Sequence, residues 1–349
     1  MQDLALILLV NGKEDFTKRW LKYMSKIEFK HKIVIGNGNK KSNLLIKELI
    51  NKKIYSNLNI EYHSYNNKNY KDYYFMMYDV VKKQKETRYI KFCDNDDFIL
   101  PNQLENLLDL VKKDRKLVSV GDRDLWFSLI GSNLYNKYIY FFPDNFYRSV
   151  ENFNTQNIKS VFTNFQESFY NIFTKKYILQ ILKEIHQINF SDLEIRDFYL
   201  KLRIMMFGKT KFYNQVSYVR QHGVSQTSSN FLYTRSFIHK DISGDIKKLK
   251  KNIFKKIKKS SSNKDMIINE IENGYVSYLN IVIQHNLRQF NHKKLFIFKK
   301  FLQDKFKTIY ITIRKAQYLK INLLLKKNYF KNYLSFRKEL EFVKKFLKD

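Results

Sequence analysis

The feature that most restricts the fold is the order of periodicities over residues 1–125. Short apolar runs alternate there with stretches spaced at the helical repeat. Leu4–Val10 reads as a strand, and a helical pattern starts at Phe16–Met24. Lys32–Ile35 reads as a second strand, Asn43–Ile50 as a helix and Leu58–Tyr62 as a third strand. Tyr70–Lys85 carries apolar residues at helical spacing, Tyr89–Cys93 is a compact apolar strand, and Leu117–Val120 closes the series. Pro101 opens a helix to Lys113, because proline suits a first turn whose N–H has no intrahelical partner. Strands separated by helices of this length predict an α/β fold: a mostly parallel sheet flanked by helices on both faces.

Residues 126–190 are aromatic and irregular. Beyond them, Ser191 with Glu194 predicts a capping box, supported by a hydrophobic staple of Phe190 and Ile195. The helix is expected to reach Phe207, where Gly208 supplies the stop, with strand-like residues at Lys211–Val219. After 229 the composition shifts to Lys-rich amphipathic helices such as Leu295–Phe306 and Tyr333–Leu347, with Ser260–Asn263 as a linker. The expected division is therefore 1–229 and a basic helical region 230–349, which packs on protein, oligomerises or meets a membrane surface.

A hydrophobic content of 44% over 349 residues excludes a disordered chain. The net charge of +32 is uneven: residues 230–349 hold 29 Lys/Arg against 9 Asp/Glu. The charge thus belongs mainly to the C-terminal third. A single cysteine, Cys93, excludes an internal disulfide and a Cys-rich zinc site, and fits a reducing compartment. The apolar start reads as a buried strand, since it lacks a basic segment and a small-residue cleavage site. No run approaches the ~20 apolar residues that span a bilayer. The expected location is cytoplasmic, at most peripheral to the inner face of the membrane.

Chemistry concentrates in Asp94-Asn95-Asp96-Asp97, directly after the strand Tyr89–Cys93. Ligands bind at the carboxyl ends of strands in open parallel sheets. Carboxylates crowded there repel one another unless a cation intervenes. A hard divalent ion accepts such oxygens and keeps positions for substrate phosphates. The alternative is a solvated acidic loop or a cap for the helix at Pro101. An EF-hand is disfavoured because Ile99 stands where that loop needs glycine. A dinucleotide fingerprint is disfavoured because Lys41 occupies the third glycine of the Gly36-Asn37-Gly38 run.

The segment Tyr89–Pro101 resembles the "DxDD…P" element of family 2 glycosyltransferases of the GT-A fold, and further elements follow in that family's order. Leu9–Gly12 stands at its first nucleotide loop. Ile33–Gly38 is similar to its "vvDdgS" turn with both acids replaced. Arg196–Arg203 with Gly208-Lys209 resembles its "ED…L..R….Gyk" helix, with Arg196 in place of the first acid. Tyr218–Ser225 resembles its "yR.H..S" loop. The resemblance spans residues 4–229.

The resemblance implies a metal-dependent, inverting transfer from a nucleotide-sugar donor, a UDP-sugar by base rate, to a glycan or lipid-linked glycan acceptor of a bacterial surface polysaccharide. It places Asp94, Asp96 and His222 at the cation, with Mn²⁺ preferred over Mg²⁺ because imidazole suits a transition metal, and Asp97 in support. Val10, Asn11, Asn37, Asp94, Asn95, Asp96 and Arg220 fall at the donor. Asp197 is the expected base, set against a plain helix pair with Lys201. Asp192 and Glu194 are its alternatives, although a first-turn acid and a capping-box glutamate both have structural reasons to be there. An anionic membrane surface and a second copy of the chain are expected partners. A non-catalytic scaffold is a competing reading. Nucleic acid is not an expected partner, since no recognition motif appears and the acidic turn would repel phosphate.

Overall fold

The structure, a computed structural model, describes residues 3–128, 138–141, 155–163, 168–213, 215–222, 242–257, 264–291 and 333–347. The main sheet has seven strands: β1 (Leu4–Val10), β2 (Lys32–Asn37), β3 (Ile60–Ser64), β4 (Tyr89–Cys93), β6 (Leu117–Gly121), β9 (Ile172–Thr174) and β10 (Lys209–Phe212). Their spatial order is β10-β6-β9-β4-β1-β2-β3. The pairs β1–β2, β1–β4, β2–β3 and β6–β10 are parallel, whereas β9 runs antiparallel to both β4 and β6. A smaller sheet contains β5 (Phe98–Ile99), β7 (Asp124–Ser128), β8 (Tyr138–Phe141) and β11 (Tyr218–His222) in the order β5-β11-β7-β8.

β1 shows why the sheet is buried on both faces. Leu4, Leu6, Leu8 and Val10 enter one apolar cluster, and the intervening Ala5 and Ile7 enter the other. The first face is covered by α1 (Glu14–Lys26), α2 (Asn43–Ile50) and α4 (Pro101–Lys113). The second is covered by α3 (Tyr70–Lys83), α5 (Thr155–Thr163), α6 (Lys175–Ile188) and α7 (Leu193–Phe207). Gly208 follows α7 at φ 154°, a backbone geometry that favours glycine, so this helix stops where expected.

The basic C-terminal region packs on this core. Phe336, Leu340, Val343 and Phe346 of the helix Tyr333–Phe346 join the first cluster, each burial contributing about 1.5–3 kcal/mol. Glu339 of that helix accepts from the Asn102 amide at 2.7 Å, serving an N–H that α4 cannot satisfy itself. The helices Ile242–Lys256 and Lys264–Asn291 join the second cluster through Leu249, Ile253, Ile271 and Tyr278. Ser260–Asn263 and Leu295–Phe306 lie outside the described residues. Among the described residues no helix is long and apolar enough to cross a membrane.

The strand Lys211–Val219 divides into β10 and β11, in different sheets. That break carries β11 against the turn that follows β4.

Candidate active site

β4 lies at the centre of the main sheet, and its buried residues deliver Asp94–Asp97 at the strand's carboxyl end. One carboxylate oxygen each from Asp94, Asp96 and Asp97 lies within 4.8 Å of the others. Asp96 and Asp97 are buried, and Asp94 is partly so. Burial is the largest influence raising all three carboxyls above the ordinary range. Asp96 adds to the rise at both Asp94 and Asp97.

Each member of the turn is held by a different part of the chain. The Asp94 amide donates to Tyr218 Oη at 2.9 Å, and Tyr170 Oη donates to Asp94 Oδ2 at 2.5 Å. The two tyrosine rings stack at 4.8 Å, and the buried Lys91 ammonium lies over Tyr218 while donating to the Tyr170 carbonyl. Asn95 donates to Thr17 Oγ1 at 2.9 Å and to the Lys13 carbonyl at 3.3 Å. Asp97 Oδ1 accepts from the Gln221 amide at 2.8 Å, which joins the turn to β11. Asp97 therefore braces the turn against β11.

Three cations oppose this charge. Arg19 of α1 donates to the Asp96 carbonyl at 2.9 Å and to Gln221 Oε1 at 2.7 Å. Its guanidinium also lies over Phe98. Burial lowers Arg19 to about 10, so it remains charged at neutral pH. Arg220 packs over the Tyr170 ring at 4.4 Å, with Nε 3.9 Å from Asp97 Oδ2. Lys13 draws down Asp94 and Asp96 electrostatically. It sits in the left-handed region at φ 59°, just after Gly12 at φ 84°. A lysine held there stores strain of a kind that collects at functional sites.

The β2 loop is different. The buried Asn37 amide donates to Asn43 Oδ1 at 2.9 Å, Tyr62 Oη at 3.0 Å and Ser42 Oγ at 3.1 Å. Its oxygen accepts from the Asn39 amide at 3.0 Å. Asn37 thus organises the loop from within. Val10 is buried and its carbonyl binds the Gly38 amide at 2.8 Å, while Asn11 is exposed beside it. Asn37 and Val10 set the shape of the rim, and Asn11 is the one of the three open to solvent.

A second acidic group opens α7. The capping-box expectation is corrected here. Asp192 is the cap, its Oδ1 accepting from the amides of Glu194 at 2.8 Å and Ile195 at 3.1 Å. Ser191 is drawn away because its amide and hydroxyl both donate to Asp245 Oδ2, at 2.6 and 2.9 Å. Glu194 is thereby released from capping, and burial with the neighbouring Asp192 and Asp197 pushes its carboxyl up to about 8. Asp197 is partly exposed, and its Oδ1 pairs with Arg196 Nη2 at 2.6 Å; Arg196, not Lys201, is the partner in this ion pair. Burial raises the Tyr73 hydroxyl, beside Arg196, to about 12. Phe169 packs between the two groups, lying under Arg196 at 5.4 Å and edge-on to Tyr170.

No protein-family model and no curated protein matches the chain. The fold does match solved structures. Crystal structures of TarS from S. aureus are similar at a TM-score of 0.51 and 14% identity, over 79% of this chain. The match covers 72% of the TarS 1–349 chain and 44% of a second TarS chain. At this identity the likeness establishes the fold. The chain has the GT-A-like α/β architecture, a mainly parallel seven-stranded sheet flanked by helices.

The structure thus brings Asp94, Asn95, Asp96, Asp97 and Arg220 into one cluster, and Phe169 packs between Tyr170 of that cluster and the Arg196–Asp197 pair. His222 ends β11 next to Gln221, and its imidazole lies outside the described side chains. Gly223–Ser225 lies outside the described residues. Sequence reasoning gave no role to Lys13, Arg19, Tyr170, Tyr218 or Gln221, although Tyr218 and Gln221 stand within the Tyr218–Ser225 element. Lys13 carried a local signal of its own, as the basic residue following Gly12 in the first loop.

Proposed function

We propose that this protein is a metal-dependent, inverting glycosyltransferase using a nucleotide-sugar donor, a UDP-sugar first among them. The observation that carries the reading is the trio of carboxylates at the end of the central strand, crowded within 4.8 Å and raised by burial. An all-oxygen donor set with excess negative charge fits a hard divalent cation, Mn²⁺ or Mg²⁺. Asp94 and Asp96 hold it, His222 adds an imidazole that favours Mn²⁺, and Asp97 keeps the turn in register. When bound, the cation supplies Lewis-acid stabilisation of the departing diphosphate.

The remaining work falls to the chain's own residues. Asn11 and Lys13 border the donor from the first loop, with Lys13 available to its phosphates. Arg19 and Gln221 fix the turn so that Asp94 and Asp96 keep one geometry. Asp197, anchored by Arg196, takes the proton from the attacking acceptor hydroxyl. Glu194 serves this role less well. With its carboxyl near 8, only about a tenth is ionised at pH 7. The acceptor is a glycan or lipid-linked glycan of a bacterial surface polysaccharide, and the Lys-rich C-terminal region offers contact with anionic lipid at the inner membrane face.

Thermal melts with a panel of nucleotide sugars, with and without Mn²⁺, test the reading, because a true donor stabilises the folded state. At least one UDP-sugar is expected to raise the melting temperature only with Mn²⁺. Asp197→Asn should keep that stabilisation and lose transfer by about 10²–10⁴-fold. A panel in which no nucleotide sugar stabilises the protein would sink the proposal.

A further inference from the structure

The acidic turn runs directly into β5 and α4, and the helix Tyr333–Phe346 grips that run at both ends. At the near end, Phe346 meets Phe98 at 6.1 Å and Tyr23 of α1 at 5.4 Å, edge-on to both. Tyr23 is in turn edge-on to Phe98 at 4.9 Å, and its hydroxyl donates to the Ile99 carbonyl at 2.6 Å. Three rings thus close around the residue that follows Asp97, in the geometry aromatic quadrupoles favour. Lys22 and Lys26 of α1 lie over the Phe346 ring at 5.8 and 5.3 Å. At the far end, the buried Glu339 divides its carboxylate over the start of α4. One oxygen accepts from the Asn102 amide at 2.7 Å and the other from Gln103 Nε2 at 3.3 Å.

From Phe98 the contacts reach the carboxylates by two short routes. Arg19 lies over the Phe98 ring at 5.1 Å and donates to the Asp96 carbonyl and to Gln221 Oε1. Phe98 and Ile99 also pair with Val219 and Tyr218 of β11. That strand supplies the hydroxyl that accepts from the Asp94 amide and the amide that donates to Asp97. Phe98 is fully buried, so the place of its ring is set by the side chains that fill the space around it. Deleting the Phe346 ring would open a cavity against it, and such cavities relax only partly. A shift of Phe98 into that space would move Arg19 and the β5–β11 pairing together.

We infer that Phe346 and Glu339 are positioning residues for the acidic turn. The docked helix Tyr333–Phe346 holds Phe98 and the start of α4, and through Arg19 and β11 it sets how Asp94, Asp96 and Asp97 are spaced. The consequence for a bound cation rests on the transferase reading, whereas the ordering of the turn does not. The basic region is thereby part of the framework of the site, acting on α4 across 237 residues of chain. A division of the chain at residue 229 separates the turn from this support.

Amide hydrogen exchange on the full chain without added metal, read by mass spectrometry, tests the ordering. In Phe346→Ala, peptides covering residues 94–103 should exchange about tenfold faster while those from α6 keep the parent rate. Phe346→Tyr keeps the ring and should restore the parent rate at the turn. Glu339→Gln retains an acceptor for the Asn102 amide but weakens both bonds, and should speed exchange at the start of α4 about threefold. Ile253→Ala is the control, since Ile253 is equally buried but belongs to the other apolar cluster. It should lower the melting temperature and leave the turn at the parent rate. Mn²⁺ binding, followed by the EPR signal of the free ion, should weaken about fivefold in Phe346→Ala and stay within about twofold in Ile253→Ala. Faster exchange at the turn in a protein that binds no Mn²⁺ would uphold the positioning role and remove the cation reading. Unchanged exchange over residues 94–103 in Phe346→Ala, or an equal rise in Ile253→Ala, overturns the inference.

Discussion

Two loops at the carboxyl ends of the strands that flank β1, the turn after β4 and the loop after β2, are built on opposite principles. The turn at Asp94–Asp97 concentrates charge and is braced from outside by Arg19, Tyr170, Tyr218 and Gln221. The loop after β2 carries no acid, and the buried Asn37 satisfies itself within the loop and with Tyr62. A loop that saturates its own polar groups offers a ligand shape. A turn whose carboxylates are raised by burial and by one another gains from added positive charge. In the proposed function the difference puts chemistry on the β4 side and fit on the β2 side.

The strongest test of that division is Asp96→Asn. It removes one carboxylate of the trio and should lower donor turnover about 1,000-fold, close to 4 kcal/mol of barrier. Metal-free thermal stability should hold or rise, since one of three mutually repelling charges is gone. Turnover near the parent level would place the chemistry elsewhere. Asn37→Asp puts an acid into this loop. A carboxylate cannot donate to Asn43, Tyr62 and Ser42, so the fold should lose about 3 kcal/mol in chemical denaturation. A neutral effect with tighter nucleotide binding would show that the loop is not self-saturated. Tyr170→Phe is subtler. It deletes only the hydroxyl on Asp94, and calorimetry should find Mn²⁺ affinity down about tenfold, or 1.4 kcal/mol. An unchanged affinity would make Tyr170 a packing residue.

Much of the central sheet was legible in the chain. β4, α2 and α4 fall on their expected bounds, because apolar periodicity and Pro101 are local signals. The antiparallel β9 was not foreseen, since three residues at 172–174 carry too little pattern to announce a strand. The cap of α7 was misplaced by one residue for a different reason. Ser191 is a good cap by type, but Asp245, 54 residues further on, takes both its amide and its hydroxyl. The candidate site divides the same way. Asp94–Asp97 stood out as carboxylates packed behind an apolar strand, and Asp197 only through the resemblance of its helix to a family element. Arg19 did not, because it reaches the turn across 77 residues and Gln221 across 202.

The sequence by itself determined where the parallel strands β1, β2 and β4 run and which turn concentrates negative charge, because periodicity and charge density are properties of neighbours along the chain. Only the tertiary structure decided how deeply those acids are buried, which cations oppose them, and that the basic C-terminal region packs back on the core, with Tyr278 against Phe198. Those outcomes depend on burial and on hydrogen bonds between segments far apart in the chain, and neither is encoded in any local pattern.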